Sequence, residues 1–321
     1  MSEVGIIGAG AWGTALAIQA ARAGNNVVLW ARSDADAIAA SRESPRLPGH
    51  RLPERVRVTG DISSLSGMAI AAVPTQSLRT VLEAATNARE LVICAKGIEA
   101  GTLRLPLEIA AEVRPDAIAA VLTGPNFAQE IASGQPAAAV VASLDQAMRE
   151  AAIACLATPS FRLYGSDDPV GAQVGGAAKN VIAIAAGAVI GSGLGENARA
   201  ALITRGLVEL ARLTVALGGR AETVMGLSGL GDLLLTCTGP ASRNFSLGLA
   251  LGRGESLAGI LAARRAVTEG VTTAPALLAR ARGGAVPVEM PICEAVAALL
   301  EGRTTMREAM AALLARPRRD E

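Results

Sequence analysis

The sequence predicts an α/β fold, with a doubly wound, mostly parallel sheet in the N-terminal half followed by an all-helical C-terminal domain. Three observations carry that expectation. Through the first half, short apolar runs alternate with Ala-rich stretches of helical period, the pattern of consecutive βαβ units. The first apolar run, Val4 to Ile7, passes directly into a glycine-rich turn and then into an Ala-rich stretch. After about Gly165 the strand signals stop, and Ala/Leu-rich helical stretches run to the end.

At 321 residues the chain has room for two domains of about 150 residues each. The boundary is expected between Gly165 and Gly176, giving a sheet domain over residues 1–170 and a helical domain over 171–321. The expected strands end near Ile7, Trp30, Val73, Ala95, Leu122, Val141 and Tyr164. Behind them come Gly8-Ala9-Gly10, Arg32, Pro74-Thr75, Lys96-Gly97 and Thr123-Gly124-Pro125-Asn126. Ligands of an open doubly wound sheet bind beyond the carboxyl ends of its strands, so these residues should converge on one crevice. Residues 41–57, with Pro45, Leu47-Pro48-Gly49 and Leu52-Pro53, read as a turn-rich excursion between units, the material of a flap.

Composition narrows the chemistry. Hydrophobic residues make up 51% and aromatic residues 2%, so the core is expected to be small aliphatic side chains in close contact. A net charge of +1, without a basic arm or interleaved aromatics, argues against nucleic acid as a partner. Cys94, Cys155, Cys237 and Cys293 lie far apart with no CxxC pair, which suits a reducing compartment and suggests neither zinc nor a disulfide framework. No basic segment precedes Val4, so no signal peptide is expected. The most apolar run, Val181 to Ile190, falls short of the roughly 20 residues a bilayer needs. The expectation is a cytoplasmic protein without membrane insertion.

Of the 30 basic residues only Lys96 and Lys179 are lysine. Arg stays charged near neutral pH, whereas Lys can exchange a proton, so these two invite a chemical reading. The single histidine, His50, rules out a His-based triad or a multi-His metal site, and no role attaches to it.

Gly8-Ala9-Gly10-Ala11-Trp12-Gly13 is a complete G-x-G-x-x-G between an expected strand and an expected helix. Gly8 permits the tight turn, Gly10 lets a pyrophosphate approach the backbone, and Gly13 lets helix and strand pack closely. This is the Rossmann-like dinucleotide signature. After the second strand, where an acidic residue would hold an NAD ribose, stands Arg32, which can take a 2′-phosphate. The expected cofactor is therefore NADPH, with NADH as the alternative.

Lys179 lies in Gly175-Gly176-Ala177-Ala178-Lys179-Asn180-Val181-Ile182-Ala183-Ile184, a helical stretch apolar on all faces. Such a helix is buried, and burial disfavours a charged ammonium, bringing it within useful acid–base range. Further on, Ser242 can cap a helix opening with Arg243-Asn244, pointing N–H groups and an Arg fork at one place, as an anion site requires.

Taken together these segments resemble the bacterial NAD(P)-dependent glycerol-3-phosphate dehydrogenases. The likeness covers nearly the whole chain. It runs through Gly8 to Ala17, Leu47-Pro48-Gly49, Lys96-Gly97-Ile98-Glu99, Thr123 to Ala128, Val174 to Leu213, Gly229-Leu230-Gly231-Asp232, Ser242-Arg243-Asn244 and Val267-Thr268-Glu269-Gly270. The resemblance implies that Lys179 is the catalytic proton donor to dihydroxyacetone phosphate and acceptor from sn-glycerol 3-phosphate. It implies that Asn180 and Asp232 orient and polarise around it, and that Lys96 touches substrate and cofactor. Gly124 and Asn126 match the loop lining the substrate, although the family more often has Ser or Thr where Asn126 stands. Ser242, Arg243 and Asn244 match the substrate phosphate site. Ala11, Trp12, Arg32, Ala128, Arg243, Val267 and Glu269 match positions that contact the dinucleotide. It further implies a role in supplying glycerol 3-phosphate for phospholipid biosynthesis; a homodimer is expected from the apolar helices.

Two other readings share these features. A β-hydroxyacid or 6-phosphogluconate dehydrogenase also carries Lys and Asn in a helical domain, but Gly229 to Asn244 resembles the glycerol-phosphate enzymes. A non-catalytic dinucleotide sensor could use the same fold, and a lysine in an apolar helix weighs against it.

Overall fold

In a computed structural model, residues 3–263, 268–284 and 287–316 are described. The chain divides into two compact units, Met1–Glu99 with Arg104–Gln173, and Ala100–Leu103 with Val174–Glu321. The division after Gln173 lies between Gly165 and Gly176, inside the helix Pro169–Gly191 rather than in a linker.

The first unit holds eight strands: β1 (Glu3–Ile7), β2 (Asn26–Trp30), β3 (Val56–Thr59), β4 (Gly67–Ala71), β5 (Ala88–Ile93), β6 (Ile118–Thr123), β7 (Ala137–Ala142) and β8 (Phe161–Ser166). They form one sheet in the order β3-β2-β1-β4-β5-β6-β7-β8. All neighbours are parallel except β6 and β7. Six helices accompany them: α1 (Ala11–Arg22), α2 (Ala35–Ser41), α3 (Thr75–Ala84), α4 (Pro106–Val113), α5 (Ala128–Ser133) and α6 (Gln146–Leu156). Alternate strand residues face opposite sides: Val4, Ile6, Val27 and Leu29 pack with Leu16 and Ala20 of α1, while Ile7, Val28, Ala69 and Leu91 pack with Leu78 and Leu82 of α3. The reversal of strand order lies beside β1, and Ile7, Trp30, Ala71 and Ile93 sit level along the sheet. The turns that leave the sheet after these four positions are therefore gathered at its carboxyl edge, at the switch point.

One correction concerns β3. Residues 41–57 read as turns throughout, yet Val56 begins an edge strand that pairs with Val27 of β2. With only four residues, Pro53 before it and Gly60 after it, the strand carries little of the alternation that reveals longer ones.

The helices from the unit boundary onward are α7 (Pro169–Gly191), α8 (Gly195–Ala216), α9 (Ala221–Val224), α10 (Asp232–Cys237), α11 (Arg243–Gly252), α12 (Leu257–Ala262), α13 (Glu269–Arg282), α14 (Pro291–Leu300) and α15 (Met306–Leu314). No strand occurs among the described residues of the second unit. A π-helical turn, Leu227–Gly231, leads into α10. By length and composition α7 could cross a bilayer, being 23 residues rather than the shorter run expected; 89% of its apolar window is buried, as in a core helix. It crosses α11 at very short range. A Cβ on Gly187 would lie 2.0 Å from the Phe245 carbonyl oxygen, and one on Gly248 would lie 1.9 Å from that of Ile184.

Candidate active site

The first unit carries a cradle at the end of β1. Gly8 turns with φ +108°, a conformation that L side chains rarely adopt, and its N–H donates to the Trp30 carbonyl at 3.0 Å. A Cβ on Gly13 would stand 1.8 Å from the Gly8 carbonyl oxygen, so only glycine lets α1 start here. Thr14 N–H closes the first helical bond to Gly10 at 2.9 Å. The turn preceding it has no side-chain cap and no acidic residue, which leaves its N–H groups and dipole directed at an anion. Nothing lies within 4 Å of where a Gly10 Cβ would stand. Open space at the second glycine, with tight packing at the first and third, fits the pyrophosphate of a nicotinamide dinucleotide.

Around the cradle, Ala11 and Trp12 are half-buried, and the Trp12 side chain is hydrogen-bonded to the Cys94 thiol. Burial pushes that thiol up to about 12, which keeps it an inert core group. Arg32 is exposed just past β2, and the nearby carboxylate of Asp34 accepts from the Ser33 hydroxyl at 3.1 Å. Lys96 Nζ donates to the Gly124 carbonyl at 3.0 Å. Gly124 has φ +147°, and a Cβ there would press to 2.9 Å from Ala139 Cα. Asn126 Nδ2 donates to the Ala138 carbonyl at 3.3 Å, while its Oδ1 is buried and unpartnered. The Thr75 and Thr123 hydroxyls, at the ends of the turn after β4 and of β6, are likewise buried without a partner. Both threonines stand in the turns that the sequence places at the ligand crevice, although neither is among the residues to which it gives a specific contact. Ala128 opens α5 and is half-buried.

In the second unit Lys179, on α7, is 8% exposed. Its Nζ donates to Asp232 Oδ1 at 2.6 Å and to Thr236 Oγ1 at 2.9 Å. Asp232 is 1% exposed; the π turn before it delivers it as the first residue of α10. One turn on, the Thr236 hydroxyl donates to the Asp232 carbonyl at 2.6 Å and is thereby fixed as an acceptor toward the ammonium. Thr236 was not among the residues expected. The signal available was its place four residues beyond Asp232, on the same helix face.

Asn180 and Asn244 also meet. Asn244 Nδ2 donates to Asn180 Oδ1 at 2.8 Å, and Asn244 Oδ1 accepts the Gly270 N–H at 3.1 Å. Both side chains are buried, and they link α7, α11 and α13. Ser242 caps α11, its Oγ accepting the Phe245 N–H at 3.2 Å, and Arg243 comes next as an exposed first helical residue. Glu269 opens α13, half-buried. Val267 lies outside the described residues. No cluster of His, Cys, Asp and Glu that could hold a metal ion occurs among the described residues.

A glycine cradle at the switch point of a parallel sheet, together with a helical unit that buries one hydrogen-bonded lysine, defines a nicotinamide-dinucleotide-dependent oxidoreductase. Comparison with known proteins gives the particular family. Residues 3–149 match the family described as NAD-dependent glycerol-3-phosphate dehydrogenase N-terminus, and residues 168–311 match its C-terminus. A glycerol-3-phosphate dehydrogenase [NAD(P)+] of Acidiphilium cryptum is 56% identical, over 99% of this chain and 98% of the relative. That of Gluconobacter oxydans is 51% identical, over 98% and 97%. The crystal structure of glycerol-3-phosphate dehydrogenase from Coxiella burnetii superimposes with a TM-score of 0.92 at 35% identity, covering 98% of this chain and 99% of that one. The chain belongs to the NAD-dependent glycerol-3-phosphate dehydrogenase family.

Proposed function

We propose that this chain interconverts dihydroxyacetone phosphate and sn-glycerol 3-phosphate, using NADPH in preference to NADH, and supplies glycerol 3-phosphate for phospholipid biosynthesis. The observation that carries the reading is the buried Lys179 ammonium, bonded to Asp232 and Thr236 within an apolar helix. Reduction of the C2 carbonyl needs a hydride and a proton. When bound, the nicotinamide supplies the hydride. Lys179 donates the proton to the developing alkoxide on the C2 oxygen and takes it back in the reverse direction. Asp232 and Thr236 hold the ammonium in place, and Asn180 orients the reacting group.

In the helical unit, Ser242, Arg243 and Asn244 are assigned to the substrate phosphate, with the Arg243 fork supplying the charge. In the sheet unit, Lys96, Gly124 and Asn126 are assigned to the substrate. Gly8, Gly10, Gly13, Ala11, Trp12, Lys96 and Ala128 there, with Arg243, Val267 and Glu269 elsewhere, are assigned to the dinucleotide. The preference for NADPH rests on Arg32, an exposed guanidinium where a 2′-phosphate would come. The reading extends to a cytoplasmic homodimer; sedimentation of the purified chain at the mass of one copy would remove the dimer.

The test is an absorbance assay of reduced-nicotinamide consumption with dihydroxyacetone phosphate and each cofactor in turn, on the native chain and on Lys179→Ala. Turnover is expected with the native chain, faster with NADPH. Lys179→Ala is expected to lose at least 100-fold in kcat while still binding dinucleotide, at the lower end of what a general acid contributes, roughly 10² to 10⁴. Undiminished turnover by Lys179→Ala would refute the assignment.

A further inference from the structure

The excursion between α2 and β3 is pinned at both ends. Arg42 donates from its guanidinium to the Val56 carbonyl at 2.8 Å and to those of Leu52 and Pro53. Leu47 and Leu52 are fully buried in the core beside α1. His50 Nε2 stands 2.5 Å from Gln129 Oε1 on α5. This segment is therefore stapled to the sheet unit and holds its residues in fixed positions.

One of those residues, Ser44, is completely buried. Its Oγ accepts the Arg46 N–H at 3.3 Å and lies 3.0 Å from the carbonyl oxygen of Ala9, in the middle of the glycine cradle. A carbonyl oxygen can only accept, so the hydroxyl's single proton is committed to Ala9. The Ala9–Gly10 peptide is trans, and in a trans peptide the C=O and the following N–H point in opposite directions. A carbonyl fixed toward Ser44 fixes the Gly10 N–H away from it. Gly10 is also the cradle residue whose missing side chain leaves open space.

We propose that Ser44 is a positioning residue for the dinucleotide: by holding the Ala9 carbonyl, it aims the Gly10 N–H at the pyrophosphate. The inference rests on the dinucleotide reading of the cradle. It assigns to residues 41–57 a task in cofactor binding that neither their turn-rich sequence nor their distance from the glycine motif shows. Without the hydroxyl the Ala9 carbonyl keeps only the longer bond donated by Thr14 Oγ1 at 3.4 Å, so the peptide is held less firmly and the pyrophosphate loses a well-aimed donor while adenine and ribose keep their contacts.

The experiment measures binding of NADPH, ADP and adenosine by Ser44→Ala and by the nearly isosteric Ser44→Cys, with thermal melts of both. Affinity for NADPH and ADP is expected to fall about three- to tenfold in Ser44→Ala, the worth of one neutral hydrogen bond, and affinity for adenosine to fall less. The weak thiol donor should give an intermediate loss, and in steady-state assays the change should fall on the KM for the dinucleotide more than on kcat. Equal affinity for NADPH in a folded Ser44→Ala, or equal losses for ADP and adenosine, would overturn the role of Ser44. Should Ser44→Ala not fold, Ser44→Cys with native affinity would overturn it equally. A native chain that binds no dinucleotide at all would instead overturn the cradle reading on which the proposal stands.

Discussion

Glu209 on α8 shows how one residue's environment outweighs its type. Only 1% exposed, it accepts the N–H groups of Ile292 at 2.7 Å and Cys293 at 3.3 Å, unpaired donors in the first turn of α14. Burial raises its carboxyl to about 7 against the lowering effect of those bonds and of Arg212. Between pH 4.5 and about 7 the folded chain holds a proton that the unfolded chain has released. Stability from this group is therefore complete below pH 4.5, declines as pH rises through about 7, and is level above, a loss of at most about 3 kcal/mol. Glu209→Gln should remove that decline. Melting temperatures of both proteins from pH 4.5 to 8 test it, and parallel curves would sink the account. Nothing in the sequence marks Glu209, because a Glu on a helix reads as a solvated charge until a helix start 83 residues away closes over it. Lys179 is legible for the opposite reason: its neighbours along the helix, which the sequence does show, already deny it water. Its partner Thr236 is legible only through Asp232, one helical turn before it, and not from the surroundings of Lys179 itself.

At the scale of elements, the parallel sheet was readable because β1, β4, β5 and β6 end in apolar runs, buried on both faces, ahead of turns carrying Gly, Pro or Lys. The crossing of α7 and α11 was not. A helix apolar on every side gives no stripe to say which face meets which neighbour, so the spacings Gly187–Gly191 and Gly248–Gly252 become meaningful only once the two helices are seen together. Those four-residue spacings place small residues on one face, letting the two backbones approach closer than ordinary side chains allow. Gly248→Ala would set a methyl 1.9 Å from the Ile184 carbonyl oxygen, which no rotamer change can relieve. The helices must separate, with an expected loss of about 1–3 kcal/mol. Because α11 begins at Arg243 and its Asn244 bonds Asn180, separation should also lower activity. Denaturant unfolding and turnover of Gly248→Ala measure both; a midpoint indistinguishable from that of the native chain would show that the crossing is looser than described.

Over the whole molecule, the use of basic residues sets up a test of the site that no single substitution offers. Positive charge is supplied almost wholly by Arg, leaving Lys96 and Lys179 as the two side-chain amines in the protein. An amine-acetylating reagent thus reports on these two and the α-amino group without a background of surface lysines. Lys96 is half-buried beside the Gly124 carbonyl, whereas Lys179 has a side chain 10% exposed and a nitrogen held by Asp232 and Thr236. In the folded protein, peptide mass spectra should show Lys96 acetylated first, with activity falling in step and dinucleotide slowing the loss. Lys179 should react only after the chain is unfolded in denaturant, because acylation needs an accessible, unprotonated nitrogen. If Lys179 in the folded chain were labelled as fast as Lys96, its nitrogen would have to stand in water. An ammonium so placed would have neither the desolvation nor the fixed partners on which its assigned proton transfer depends.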